Sequence, residues 1–216
     1  MYIKTIYLIR HGTTEWMEQG LTHGALNSPL SAFGEWEAQQ AAEALKDCGI
    51  THIFSSPQGR AMQTAGFIAK KIPNAKFTQL DGLREMGFGF REGKKNFYSK
   101  KATSPFLFYI TIPFFHIIMQ LTGEKGKDMR KRVMDAWQFI LAQDEPGNFA
   151  VVSHSAVLNM LAHTLSASNN DVKKRKRNIV GTCSISKVKI DEQGQPILTQ
   201  FNSVSHLNKN KDNYGH

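Results

Sequence analysis

The sequence predicts a three-layer α/β/α sandwich with a mainly parallel central sheet, and three observations lead there. Strand-like apolar runs alternate along the chain with long segments of helical periodicity, the pattern of a parallel sheet covered on both faces. The first run, Ile3 to Ile9, is β-branched and apolar, as a fully buried strand is. The chain has 216 residues, 41% hydrophobic and 21% charged, which suits one core with an elaboration and is too short for two full catalytic domains.

The elements follow in order. Ile3 to Ile9 ends abruptly at Arg10-His11-Gly12. Ser31 can cap a helix running through Lys46, closed by Gly49. Ile50 to Phe54 reads as a second strand, leading into Ser55-Ser56-Pro57 and then a helix from about Arg60 to Lys71. A weaker strand fits Lys76 to Leu80. Val133, Trp137, Ile140 and Leu141 recur at close to 3.6 spacing within a helix from Asp128 to Gln143. Phe149 to Val152 is the clearest internal strand, followed by Ser153-His154 and a helix from Ser155 to about Leu165. Two last strands fit Ser184 to Ile190 and Ile197 to Val204, with Gln193-Gly194 in the turn. The segment 205–216 is polar and reads as a flexible tail.

The net charge is +9, which favours anionic partners without choosing among phosphate esters, nucleic acid and acidic membranes. Cys48 and Cys183 lie far apart and read as free thiols in a reducing cytoplasm. The apolar run at the N-terminus is too short for a signal peptide, so a cytoplasmic location is expected.

Ligands of such sheets sit beyond the carboxyl ends of the strands. Arg10-His11, the Ser55 to Arg60 loop and His154 all fall there, so three polar clusters converge on one edge. Phosphoryl transfer needs donors arranged around several negative oxygens. Arg10 and Arg60 each offer a planar fork that matches phosphate. A neutral His11 with one ring N–H held can attack phosphorus through the other nitrogen. His154, if protonated, adds a positive donor, and a carboxylic acid is the natural proton source for a leaving alkoxide.

These residues carry a resemblance to the histidine phosphatase superfamily, which includes the cofactor-dependent phosphoglycerate mutases. Arg10-His11-Gly12-Thr13-Thr14 resembles its signature, and Ser55-Ser56-Pro57-Gln58-Gly59-Arg60-Ala61-Met62-Gln63-Thr64-Ala65 its second block. Leu83-Arg84-Glu85-Met86-Gly87 resembles the block with the acid, and Val151-Val152-Ser153-His154 the block with the second histidine. Leu30-Ser31 and Gly34 also sit where the family has Leu-Thr and Gly.

The resemblance implies His11 as the phosphorylated nucleophile and Glu85 as general acid, then base. It implies Arg10, Arg60 and His154 as phosphate ligands, with Thr14 adding a hydroxyl and Ser155 a backbone N–H. Glu15 and Glu92 are the competing carboxyls. No metal and no cofactor is implied, and no His-Glu-x-x-His or aspartate cluster stands in the sequence. Two positions depart from the family. Met17 replaces the usual Asn and Ser155 the usual Gly, changes expected to affect phosphate affinity and rate more than reaction type.

The expected layout is one catalytic domain over 1–204, with a small helical cap inserted at about 86–125. The expected reaction is phosphomonoester hydrolysis; mutase transfer and a non-catalytic phosphate-binding module are the alternatives. Pro105 to Leu121 is rich in aromatic residues and could pack in the core, line an apolar pocket, or form a dimer or membrane contact. Pro113 interrupts it, and it is shorter than the ~20 residues a membrane span needs. The basic run Lys173 to Arg177 reads as a solvated loop or an anionic-surface patch. Nucleic acid is not expected as a partner, because no aromatic residue interleaves with that run. A small phosphorylated substrate, with or without an apolar part, is expected. A homodimer and peripheral membrane contact stay open. His23, His52, His116, His163 and His206 read as structural or solvated.

Overall fold

The computed structural model describes residues 2–95, 122–166 and 180–207. Its centre is a six-stranded sheet. In chain order the strands are β1 (Tyr2–Arg10), β2 (Ile50–Ser55), β3 (Lys76–Gln79), β4 (Asn148–Ser153), β5 (Ile185–Asp191) and β6 (Pro196–Ser203). Their order across the sheet is β3-β2-β4-β1-β5-β6. The β3–β2, β2–β4 and β4–β1 pairs are parallel, while β1–β5 and β5–β6 are antiparallel. The helices are α1 (Glu15–Glu18), α2 (Ala32–Leu45), α3 (Gly59–Lys71), α4 (Gly126–Leu141) and α5 (Ser155–Leu165).

Side-chain alternation along each strand makes the three layers. Ile6, Leu8, Phe54, Phe149, Val151 and Val188 face one way and pack against Val133, Trp137 and Ile140 of α4 and Leu158 and Leu161 of α5. Tyr7, Ile9, Ile53, Ala150, Val152 and Ile185 face the other way, against Ala42 and Leu45 of α2 and Ala61, Ala65 and Ile68 of α3. Ser31 caps α2 as its sequence position predicts, its hydroxyl accepting from the Gly34 N–H at 3.2 Å.

Two features differ from the sequence reading. The short helix α1 has no predicted counterpart; Thr14 caps it through the Met17 N–H at 3.2 Å. The turn at 205–207 is not frayed: Leu207 is buried and the His206 ring bonds the Cys183 carbonyl at 3.1 Å. The predicted tail beyond it, 208–216, lies outside the described residues, as does most of the predicted cap.

The ends of the predicted 86–125 insertion meet. Glu124 N–H donates to the Gly87 carbonyl at 2.9 Å, and Gly87 N–H returns to the Glu124 carboxylate at 3.3 Å. Among the described residues no helix is long and apolar enough to cross a membrane.

Candidate active site

The ladders pair Arg10 with Ser153 and Ser55 with Val152, so β1, β2 and β4 end nearly level. His11, Ser56 and His154, the residues just past those ends, therefore emerge at one edge. Two backbone bonds hold the junction: His11 N–H to the Ser153 carbonyl at 3.0 Å, and Ser56 N–H to the Val152 carbonyl at 3.0 Å.

His11 is buried, and its Nδ1 lies 2.8 Å from the Gly12 carbonyl oxygen. A carbonyl only accepts, so Nδ1 carries the proton and Nε2 keeps its lone pair. Burial, and then the charges of Arg10 and Arg60, hold the ring pKa well below 6.5. The imidazole is therefore neutral at physiological pH. Gly12 is required by space: a Cβ there would lie 2.5 Å from the Gly34 carbonyl oxygen at the start of α2. Its N–H donates to the Thr64 hydroxyl at 3.1 Å.

Arg60 is buried and Arg10 half-buried, and both are held by backbone carbonyls. Arg10 donates through Nη1 to Val180, and its Nη2 lies 3.8 Å from the Met17 sulfur. Arg60 sits in the first turn of α3 and donates to Leu26 at 2.7 Å and Gly24 at 3.0 Å. Burial lowers the Arg60 pKa to about 10, which still leaves it charged at neutrality. His154 Nε2 lies 2.8 Å from the Ser56 hydroxyl, and the His11 and His154 ring centroids are 5.1 Å apart. Burial, then His11 and the two arginines, push the His154 pKa well below 6.5, so the ring is neutral rather than the cation the sequence reading considered.

Among the described residues, the buried side-chain polar atoms without a partner include Arg10 Nε, Arg60 Nε and His154 Nδ1. An unsatisfied buried donor costs about 1–3 kcal/mol, so such a concentration around one histidine marks a place for an anion.

Glu85 follows the turn of 3-10 helix at Asp81–Leu83. One carboxyl oxygen accepts from its neighbour Met86 N–H at 3.0 Å, the other from Ala156 N–H in the first turn of α5 at 3.4 Å. Burial raises its pKa, outweighing those two bonds and the pull of Arg60 and Arg10. The rival carboxyls are placed differently. Glu15 is exposed, and Glu92 spends one oxygen on the Ala25 and Phe88 N–H groups at 2.8 and 2.7 Å.

The Thr14 hydroxyl is buried and shared between the α1 cap and His23 Nε2 at 2.8 Å. Ser155 opens α5 and has no positive φ, so a side chain is accepted there without backbone strain. Among the described residues no group of three or more His, Cys, Asp and Glu is placed to hold a metal ion.

His23, expected to be structural or solvated, bonds the Thr14 hydroxyl at the border of the site. Its ring centroid is 6.5 Å from that of His11, and burial beside Arg60 and Arg10 lowers its pKa to about 4. The sequence assigns no role to Gln58, a residue of the second block, or to Arg132. Arg132 of α4 donates to the carbonyls of Gly82, Arg84 and Glu85 at 2.8, 2.7 and 3.2 Å, holding the acid's segment against the core. By contrast His52 is structural, as expected, between Glu145 and Thr78 and stacked on Phe54. His116, the Pro105 to Leu121 stretch and the Lys173 to Arg177 run lie outside the described residues.

A protein of Proteus mirabilis (strain HI4320) described as a probable phosphoglycerate mutase GpmB is 33% identical over 210 residues, covering 94% of each chain. Among solved structures, YhfR of Bacillus stearothermophilus superposes with a TM-score of 0.78 at 25% identity, over 94% of this chain and 99% of its own. A phosphoserine phosphatase from Entamoeba histolytica, solved with phosphoserine, superposes at 0.71 with 25% identity, over 95% and 100%. The profile of the histidine phosphatase superfamily (branch 1) matches residues 6–203. The chain belongs to the histidine phosphatase superfamily, and its reaction type is the phosphohistidine chemistry characteristic of that family.

Proposed function

We propose that this enzyme hydrolyses small phosphomonoesters in two steps, with His11 as nucleophile and Glu85 as acid and then base. The observation that carries the reading is the state of His11: neutral, Nδ1 committed to Gly12, and flanked by buried donors that lack acceptors. Nε2 forms a bond to phosphorus as the ester P–O bond breaks, and Glu85 gives its proton to the leaving oxygen. The Glu85 carboxylate then takes a proton from water, whose oxygen attacks phosphorus and releases His11. Arg10 and Arg60 hold the phosphoryl oxygens, and His154 donates through Nδ1–H while Nε2 accepts from Ser56. The Thr14 hydroxyl and the Ser155 N–H complete the donor set.

The proposed catalytic domain is single, and Gly87 and Glu124 pair where the expected cap insertion begins and ends. Phosphorylated metabolites of the cytoplasm are the proposed substrate pool, and the free thiols Cys48 and Cys183 suit that compartment. Phosphoglycerate mutase transfer is the second reading, favoured by relatives described as probable mutases. Phosphate release from a panel of phosphomonoesters, with chelator present, tests the proposal. Turnover by the wild type and none by His11→Ala supports it. Isomerisation of phosphoglycerate without phosphate release supports the mutase instead.

A further inference from the structure

Glu85 is anchored at its main chain as well as at its carboxyl. Its carbonyl accepts from Arg132, and its N–H donates to the side-chain oxygen of Gln58 at 2.7 Å. Gln58 precedes α3 and is buried. Its amide nitrogen donates to the carbonyls of Gly24 and Ala25, both at 3.1 Å. The amide has one orientation that satisfies all three partners, since the Glu85 N–H needs an acceptor and the two carbonyls need donors.

The same loop holds the phosphate clamp. The Gly24 carbonyl also accepts from Arg60 Nη2 at 3.0 Å, and Leu26 accepts from Arg60 Nη1. The backbone N–H of Gln58 donates to the Ser56 hydroxyl at 3.3 Å, the hydroxyl that meets His154. One side chain thus ties the proton donor to the carbonyl that seats a guanidinium. A simple space-filling residue would need none of these three bonds.

We infer that Gln58 is a positioning residue, setting the distance between the Glu85 carboxyl and the phosphate held by Arg60. The inference rests on the proposed role of Glu85 as general acid. Without the amide, the Glu85 N–H turns toward water and the carboxyl loses its aim at the leaving oxygen. Proton donation then suffers while phosphate binding and attack by His11 continue.

The test compares an alkyl phosphate, whose alkoxide needs a proton to leave, with 4-nitrophenyl phosphate, whose phenolate does not. Gln58→Met and Gln58→Ala are each assayed for the ratio of kcat/KM on the two esters. A general acid is worth about 10²–10⁴-fold, so a misaimed one should lower the alkyl rate by at least ~10-fold and the aryl rate by about twofold or less. The ratio is independent of the fraction of protein that folds, so a destabilised variant still reports. Equal losses on both esters, or an unchanged ratio, overturn the inference. Glu85→Gln serves as the control. A bias toward the aryl ester in Glu85→Gln without one in either Gln58 variant sinks the role of Gln58 alone. No bias in Glu85→Gln sinks the assignment of Glu85, and the inference with it.

Discussion

The Nδ1 of His11 lies 2.8 Å from the carbonyl oxygen of its own neighbour, Gly12. This contact decides which nitrogen is nucleophilic, and burial with two adjacent arginines decides that the ring stays neutral. An unperturbed histidine would protonate near 6.5 and lose its lone pair. Because the His11 pKa is lowered, kcat/KM for 4-nitrophenyl phosphate, whose leaving group needs no proton from Glu85, should show no loss near pH 6.5 as pH falls, once corrected for substrate ionisation. An acid limb near pH 6.5 in the wild type would contradict the assigned state.

Stability should depend on the same groups. His11, His23 and His154 remain neutral in the folded chain below 6.5, while the unfolded chain takes up protons there. Stability is therefore lost as pH falls from 6.5, and the His23 share extends down to about pH 4. Glu85 acts the other way. Its raised pKa means the unfolded chain holds fewer protons above 4.5, which adds stability as pH falls toward that value. Three histidines outweigh one carboxyl, so the urea midpoint should be lower at pH 5 than at pH 7. Equal midpoints would mean that these rings do not titrate as their burial requires.

Met17 gives Arg10 only a thioether contact at 3.8 Å, a weak acceptor. Met17→Asn would supply a carbonyl oxygen and an N–H at the same place. Inorganic phosphate should then inhibit about fivefold more tightly, the equivalent of about 1 kcal/mol from one added hydrogen bond. An unchanged inhibition constant would show that residue 17 does not reach the phosphate or its clamp.

A methyl group at residue 12 would sit 2.5 Å from the Gly34 carbonyl oxygen, so either the His11 segment or the start of α2 must move. Gly12→Ala should lose on the order of 10²-fold in kcat/KM, since a displacement of about 1 Å at the nucleophile is that costly. Circular dichroism should show the helices retained. Near-normal activity would mean that the loop has slack the contact does not reveal.

The reactive edge was legible because β1, β2 and β4 are apolar runs that stop abruptly, and the residues just past them are polar. That pattern alone brought His11, the Ser55 to Arg60 loop and His154 together. Glu85 needed the family resemblance, since it follows a turn rather than a strand. His23 was not legible: it lies in the irregular stretch between α1 and α2, where no periodicity says which way a side chain faces. Gln58 and Arg132 act through bonds to distant backbone groups, up to 50 residues away along the chain. Such partners leave no trace in composition or spacing. The reversed direction of β5 was hidden too, because an apolar run reads alike in either sense.

The mechanism requires a covalent phosphoryl group on His11. The direct measurement mixes enzyme with a turnover substrate, quenches in alkali within milliseconds, and maps phosphate on the peptides by mass spectrometry. Glu85→Gln is measured in parallel with 4-nitrophenyl phosphate, to slow the hydrolysis of the intermediate. An alkali-stable, acid-labile phosphate on the peptide containing His11, absent from His11→Ala, is the predicted result. Turnover with no labelled histidine in either protein, or a label on His23 or His154 instead, would contradict the account.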